Sequence, residues 1–442
     1  MNVAAASRRA QDREIARLAI PAFAALVSEP LFLLADAAII GHLGTAQLAA
    51  LGIAGIVIQT LMGIFIFLAY GTTSQVARLV GAGQRERALA VGIDGVWLAL
   101  LLGTALAVLA IAAAEPLVDV FTQDADVRGY ALTYLRIAAL GLPGLLTILA
   151  ATGVVRGFQD TRTPLAVTVV ANLLNIVLNL ALVYGLGWGI AGSAIGTVLA
   201  QSAGAAALCA VVVRAAHRHG AALRPHRDGI RAAWREGVPL MVRTLTLRAA
   251  LVLATFVAAS ISTVAVAAHQ VAFTLWSFLA FALDAIAIAG QAITGRLLGA
   301  GDAAGARAAT RRMVWWGAVA GGVLGVALLV SRDLLVPLFT DDPAVQALLA
   351  SVLIIVAVHQ PVAGVVFVLD GVLIGAGDGR YLAWAGVGTL AVFAPLALAV
   401  MWADAGLPWL WWALVALMVA RLITLVQRAR GERWLVLGAS TR

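Results

Sequence analysis

The chain has 442 residues, of which 62% are hydrophobic and 12% are charged. One soluble core could not bury this much apolar surface, so the composition excludes a soluble globular protein and predicts a polytopic membrane protein. The formal net charge is +8, but its arginines flank apolar stretches, which favours membrane orientation over a nucleic-acid partner.

Apolar stretches recur along the whole chain. A spanning helix needs about 20 apolar residues, because it rises 1.5 Å per residue through hydrocarbon about 30 Å thick. We predict spans over 17–40, 50–74, 89–113, 129–151, 163–185, 190–213, 237–259, 264–294, 312–331, 345–369, 381–403 and 407–427. The predicted fold class is therefore an all-α integral membrane protein with twelve transmembrane helices.

The arginines fall mainly on one side of these spans. With a cytoplasmic N-terminus, the inner segments hold most of them, from Arg8 to Arg442, whereas Arg128 and Arg332 lie outside. The positive-inside rule then predicts that both termini are cytoplasmic. We expect a multi-pass protein of a bacterial plasma membrane, in contact with the lipid bilayer.

The most polar segment divides the spans six and six. Residues 214–236 carry arginines and irregularly spaced histidines, a pattern typical of a solvated basic linker and not of a metal site. We therefore predict an N-terminal six-helix lobe over 1–213 and a C-terminal six-helix lobe over 237–442.

The two halves repeat each other in sequence. "ARLVGAGQRERALA" at 77–90 matches "GRLLGAGDAAGARA" at 295–308, and the same offset of 218 pairs Pro21 with Pro239. Because six is an even number of spans, the halves share one orientation and are related by a pseudo-twofold axis along the membrane normal. This organisation is typical of transporters.

The first span contains two acids, in "EPLFLLADAAIIGHLG" at 29–44. A charge at the centre of a spanning helix costs about 2.5–3.5 kcal/mol on insertion scales. Asp36 has no acidic counterpart in the second half, where the offset lands on Ala254, so we expect a functional role for it. Pro21 and Pro30 can release backbone carbonyls and allow this helix to bend. Glu29 lies on nearly the same helix face as Asp36.

The fifth span carries a polar stripe. Asn172, Asn175 and Asn179 recur at helical spacing, and Thr197 of the sixth span reaches a similar depth. With Asp36 they predict a pocket whose carboxylate could take up a proton or hold a small cation such as Na⁺. The alternative is that these amides only join helices by hydrogen bonds.

Polar residues also interrupt the spans of the second half. Asp284 could be functional or could form a salt bridge with Arg243 or Arg248, and Asp370 could be functional or simply solvated near the inner membrane face. We assign the following residues to a substrate cavity: Glu29, Asn172, Gln270, Asp284, Gln291 and Asp370.

No motif in the chain indicates enzymatic chemistry. There is no GxxxxGK[ST] phosphate-binding loop, and the single cysteine, Cys209, lies in an apolar run. We therefore expect no catalytic residues, no cofactor and no resident metal, apart from a coupling ion, H⁺ or Na⁺, near Asp36. A membrane sensor would need an appended soluble domain, and the loops are too short to hold one.

Several segments together resemble the multidrug and toxic compound extrusion (MATE) family, in its DinF-like branch. They are "EPLFLLADAAIIGHLG", "GVVRGFQDTRTPL", "NIVLNLALVYG", "HQVAFTLWSFLAFALDAIAIAGQ" and "VFVLDGVLIGAGDGRYL". The resemblance implies two six-helix bundles around a V-shaped central cavity. It also implies export of organic, often cationic, compounds in exchange for H⁺ or Na⁺.

The resemblance further implies roles for individual residues. Asp36 matches the acid that is protonated in proton-coupled members, and Pro21 matches the proline at which the first helix bends. Asn175, Asn179 and Thr197 match the polar or ion-binding cluster of the same lobe. Many relatives carry aspartate at the position of Asn179, so its amide here favours H⁺ coupling.

We therefore predict a monomeric secondary active multidrug efflux antiporter that exchanges small organic molecules for protons. Two alternatives remain open within transport. One is Na⁺ coupling, and the other is export of organic anions or flipping of lipid-linked sugars. A flippase cleft would need arginines to hold pyrophosphate, and the candidates are Arg136, Arg243, Arg248 and Arg421.

Overall fold

The computed structural model describes the backbone of residues 3–439 and the side chains of residues 9–439. Arg442 and the side chain of Arg8, both counted in the orientation argument, lie outside these residues. The described residues form α-helices and no strand. The helices are α1 (Val3–Gly41), α2 (Thr45–Ile64), α3 (Phe67–Gly81), α4 (Arg85–Ala112), α5 (Ala114–Asp119), α6 (Ala125–Ala139), α7 (Leu142–Gly157), α8 (Arg162–Leu180), α9 (Gly189–His219), α10 (Arg227–Ile261), α11 (Thr263–Gly299), α12 (Ala303–Phe339), α13 (Pro343–Gly375), α14 (Gly379–Trp402) and α15 (Leu407–Arg430).

The prediction of an all-α membrane protein is confirmed. By length and composition, 11 described helical segments could cross a membrane, or 12 if α6 and α7, which are bent by 46°, form one span. Each predicted span overlaps one of these segments, but many helices extend several residues further. Hydropathy marks only the part of a helix that lies in hydrocarbon, whereas its backbone hydrogen bonds continue into the polar ends.

Local interruptions occur inside three predicted spans, and the fourth span has its break at residues 140–141, between α6 and α7. The second span is divided into α2 and α3 at residues 65–66, and the fifth ends in a π-helical turn at Ala181–Gly185. Helix α1, in contrast, continues without a break through Pro21 and Pro30. Bending at these prolines therefore remains a prediction about another state of the protein.

The chain divides into two compact units. One consists of Ala24–Val238, and the other of Met1–Phe23 together with Pro239–Arg442. The unit boundaries fall inside α1 and α10. Helix α10 begins at Arg227, and residues 220–226 are the non-helical part of the predicted linker. The predicted lobes, 1–213 and 237–442, remain a prediction.

Equivalent turns in the two halves have the same local structure. Asp124 caps α6 by accepting hydrogen bonds from the Asp126 and Val127 amides, and Asp342 caps α13 in the same way. Gly83 and Gly301, which follow α3 and α11, both have a φ of 77°, a conformation that glycine adopts without strain. The sequence duplication is thus reproduced in capping and turn chemistry.

Helix α13 is the buried centre of the unit that contains Pro239–Arg442. It packs against α11, α12 and α15. Gly317, Gly321 and Gly325, spaced four residues apart on α12, face the α13 backbone so closely that a Cβ atom there would strike it. Small residues at this spacing allow helices in a membrane to approach each other closely.

This packing predicts opposite effects at two adjacent glycines. A Cβ at Gly321 would meet the Gln360 carbonyl, whereas a Cβ at Gly322 has nothing within 4 Å. We expect Gly321→Ala to lower the free energy of unfolding by about 1–3 kcal/mol through overpacking. We expect Gly322→Ala to leave it unchanged or raise it slightly, because alanine favours a helix. Unfolding in mixed detergent micelles measures both, and equal losses would contradict the packing.

Candidate functional site

Asp36 lies in the penultimate turn of α1, where its side chain is only 4% exposed. Its Oδ1 atom accepts a hydrogen bond from the Asn179 amide at 2.7 Å and another from the Ser193 hydroxyl at 3.0 Å. The Tyr134 hydroxyl lies beside the same carboxyl group. Donors from α6, α8 and α9 therefore converge on one acid of α1, and they compensate part of its lost hydration.

The polar stripe of α8 is directed toward α1 and α9. The Asn175 side-chain amide donates to the Thr197 hydroxyl at 3.0 Å, and the Asn172 amide donates to the Ser28 backbone carbonyl at 3.3 Å. Asn175 and Asn179 are buried, while Asn172 is half-buried. The structure thus places Asp36, Asn175, Asn179 and Thr197 in one cluster, which we call the Asp36 cluster.

Two oxygen atoms of this cluster have no hydrogen-bond donor among the described residues. They are the buried side-chain carbonyl oxygens of Asn175 and Asn179. With the Asp36 carboxylate they supply oxygen atoms of the kind that hard cations bind. No group of three or more histidine, cysteine or acidic side chains that could hold a metal ion occurs in the described part of the chain.

A cavity of about 300 Å³ adjoins the Asp36 cluster within the unit Ala24–Val238. Its walls are mainly apolar. Its polar lining residues are Glu29, Asp36, Gln59, Tyr134, Thr197 and Gln201. Glu29 is exposed to this space, and the described residues offer it neither a hydrogen bond nor an ion pair. The cavity therefore contains two carboxylates and no basic side chain, which makes it suited to a positively charged ligand.

The second-half residues assigned to the cavity lie in the other unit. Asp370 is 4% exposed and forms ion pairs with Arg243 and with Arg421, the latter at 3.1 Å. The alternative of a merely solvated Asp370 is therefore wrong, because two guanidinium groups replace water around it. Gln291 is buried, Asp284 is half-buried and Gln270 is exposed.

Ser193 and Tyr134 were not predicted as members of the site. Ser193 ends the segment "GLGWGIAGS", whose glycines predict a turn between spans, but α9 already begins at Gly189. The spacing of four residues between Ser193 and Thr197 places both on one face of α9. That spacing could have indicated its role. Tyr134 carries no comparable signal, since only the packing of α6 against α2 and α9 brings it to the cavity.

Comparison with solved structures identifies the fold. The chain resembles the Vibrio cholerae MATE transporter VcmN in its bent form, with a TM-score of 0.87, 23% identity, and coverage of 96% of this chain and 98% of that one. It also resembles a MOP superfamily transporter from Pyrococcus furiosus, with a TM-score of 0.86, 21% identity, and coverage of 94% and 95%. The chain thus has the all-helical membrane fold of these two transporters.

Sequence comparison gives the family. The MatE family profile matches residues 21–181 and again residues 239–398. The chain is 31% identical to "Protein DETOXIFICATION 44, chloroplastic" of Arabidopsis thaliana over 424 residues, covering 93% of this chain and 80% of that protein. It is 28% identical to the DNA damage-inducible protein F of Escherichia coli over 375 residues, covering 83% and 81%. The chain therefore belongs to the MatE family, and the two profile matches coincide with its two sequence repeats.

The hydrogen bond between Asn179 and Asp36 predicts a measurable energetic coupling. Asn179→Leu leaves the carboxylate with fewer donors, so we expect unfolding free energy to fall by about 1–3 kcal/mol. In Asp36→Leu/Asn179→Leu, both polar partners are gone, and the combined loss should be smaller than the sum of the single losses. The free energies of unfolding of the wild-type protein, both single variants and the double variant, measured in mixed detergent micelles, form a double-mutant cycle.

The matched control replaces Asn172, whose amide donates to Ser28 instead. The cycle of Asp36→Leu with Asn172→Leu should be additive. Additive losses in the Asn179 cycle as well would contradict a direct interaction with Asp36.

Proposed function

We propose that this protein is a secondary active antiporter that exports organic cations in exchange for protons. The observation that carries the proposal is the position of Asp36, a buried carboxyl group that borders a 300 Å³ cavity and is held by Asn179 and Ser193. The repeat places Ala254 at the equivalent position of the other half. An acid retained in one repeat only is not needed by the duplicated scaffold.

Protonation of Asp36 changes the interactions that this carboxyl group makes. Hydrogen bonds to a carboxylate are about twice as strong as those to a neutral acid, so a bound proton weakens the contacts from Asn179 and Ser193. The neutral acid can also be buried without water or a positive partner at a much lower free-energy cost than the carboxylate. Because of these two effects, Asp36 binds a proton with different affinity in different conformations of α1. Proton binding therefore shifts the equilibrium between these conformations. We propose that α1 then bends near Pro21 or Pro30, because each proline leaves a carbonyl without its helical partner.

The cavity chemistry supports cationic substrates. A substrate cation near Asp36 and Glu29 would compete with the proton for the same negative charge, and this competition couples export to proton entry. The apolar walls, which include Phe32, Leu48 and Met62, would contact the organic part of the substrate. We propose no cofactor and no enzymatic step for this process.

Among the described residues, three of the four arginines that an anion exporter or lipid flippase could use have acidic partners, the exception being the exposed Arg248. Arg136 pairs with Glu115 at 2.9 Å, and both Arg243 and Arg421 pair with Asp370. A guanidinium group held in an ion pair binds pyrophosphate or organic anions less strongly than an unpaired one. This pairing favours the cation exporter among the transport alternatives.

We propose that the protein works as a monomer in a bacterial plasma membrane with both termini in the cytoplasm. The proposal follows the concentration of arginines on one side of the spans and the similarity to the Escherichia coli relative.

Replacing the proposed proton acceptor tests the mechanism. Asp36→Asn keeps the size and most hydrogen-bonding capacity of the side chain but cannot change its charge. We expect it to abolish efflux driven by an imposed pH gradient in proteoliposomes, because proton and substrate no longer compete. Asp126→Asn, which changes an exposed acid at the start of α6, is the matched control and should retain efflux. Unchanged transport by a correctly folded Asp36→Asn protein would refute the role of Asp36.

Na⁺ coupling is a second candidate, favoured by the two unpaired amide oxygens of the Asp36 cluster. Asn179, however, is neutral and supplies no negative charge to a cation, and its amide nitrogen donates a hydrogen bond to Asp36. Two adjacent carboxylates repel each other unless a proton or cation neutralises them. We therefore expect Asn179→Asp to create Na⁺-dependent thermal stabilisation that wild-type protein lacks, with K⁺ as the control salt. Equal Na⁺ stabilisation of the wild-type protein would favour Na⁺ coupling.

A further inference from the structure

One face of α2 borders the cavity along its length. Eight residues of α2 line the cavity, and five of them recur with alternating steps of four and three: Leu48, Gly52, Gly55, Gln59 and Met62. Steps of this size keep side chains on one side of a helix. Two of these five positions, Gly52 and Gly55, are glycines, so they present no side chain to the cavity.

These glycines have no packing reason to lack a side chain. A Cβ atom built at Gly52 or at Gly55 would have no other atom within 4 Å, and neither residue has a positive φ. Gly317 and Gly321 of α12 differ, because helix backbones approach them closely. Glycine weakens a helix relative to alanine, and no close contact accounts for Gly52 or Gly55.

The glycines lie at the depth of the two acids. Helix α1 ends at Gly41 and α2 begins at Thr45, so depth can be counted from their short connection. At 1.5 Å per residue, Asp36 lies about 8 Å below it and Glu29 about 18 Å below it. Gly52 and Gly55 lie about 10 and 15 Å below the same connection. The open part of the α2 face is therefore level with the stretch between the two carboxylates.

We propose that Gly52 and Gly55 determine the size of the cation that the cavity accepts, by leaving the space opposite Glu29 and Asp36 empty. The inference rests on the proposed function, since it concerns the cation site of the same cavity. A larger side chain at either position occupies the space that a bulky substrate needs. Small cations still reach the acids, because the acids and their hydrogen bonds are untouched.

Binding of cations of equal charge and graded size tests the proposal. The probes are tetramethylammonium, tetraethylammonium, tetrapropylammonium and tetraphenylphosphonium, titrated calorimetrically into the purified full-length protein. We expect Gly52→Leu and Gly55→Leu to weaken tetraphenylphosphonium binding by about tenfold or more. Binding of the smallest probe that the wild-type protein binds should change less than twofold.

Two control variants separate size from other effects. Gly388→Leu adds the same side chain at an exposed α14 position where a Cβ also meets nothing within 4 Å and which does not border this cavity. It should leave every binding constant unchanged. Gly52→Ala and Gly55→Ala stiffen α2 but add only a methyl group, so their effects should be small.

The outcomes distinguish the inference from the function on which it rests. Equal weakening of all probes by the alanine variants would mean that α2 needs glycine for flexibility, and it would overturn the size proposal. Unchanged tetraphenylphosphonium binding in both folded leucine variants would also overturn it, while leaving cation export intact. A wild-type protein that binds none of the four cations would instead contradict the proposed substrate class, and the inference with it.

Discussion

The structure around the candidate site depends on one constraint, the cost of keeping a carboxyl group inside an apolar membrane protein. A buried ionised group without partners is so unfavourable that it neutralises or acquires donors. Asp36 is supplied with donors by Asn179 and Ser193, which come from two other helices. The same constraint applies to Asp370, but there two arginines compensate the charge. The two acids therefore have different chemistry: Asp370 belongs to a network of opposite charges, whereas Asp36 is held by neutral donors and can bind a proton without breaking an ion pair.

The duplicated sequence explains the scaffold, and its departures from duplication indicate function. Paired caps at Asp124 and Asp342 and paired turns at Gly83 and Gly301 preserve the repeat at the ends of helices. Inside the membrane the repeat is not kept at every position, since Asp36 corresponds to Ala254. Turns and caps are set by local backbone geometry that both halves need. A titratable group needs to be present only once, in the half that uses it.

Much of the architecture was predictable because each spanning helix must satisfy its own backbone hydrogen bonds and present about 20 apolar residues to lipid. The same periodicity predicted that Asn175 and Asn179 share one face of α8, and the distances to Thr197 and Asp36 agree with that face. Other features depend on packing between segments far apart in sequence. The partners of Asp370 come from α10 and α15, and the interruption of the second span follows no proline. Hydropathy contains no signal for either feature.

The central claim is that a substrate cation and a proton compete for Asp36. Its most direct test is the number of protons released when a cation binds to purified protein in weakly buffered detergent solution, followed with a pH indicator. The account predicts release of up to one proton per bound cation, increasing as the solution is made more acidic until Asp36 is protonated before binding. It also predicts that release disappears in Asp36→Asn. Proton release of the same size in that variant would contradict the claim, because another group would then exchange its proton for the cation.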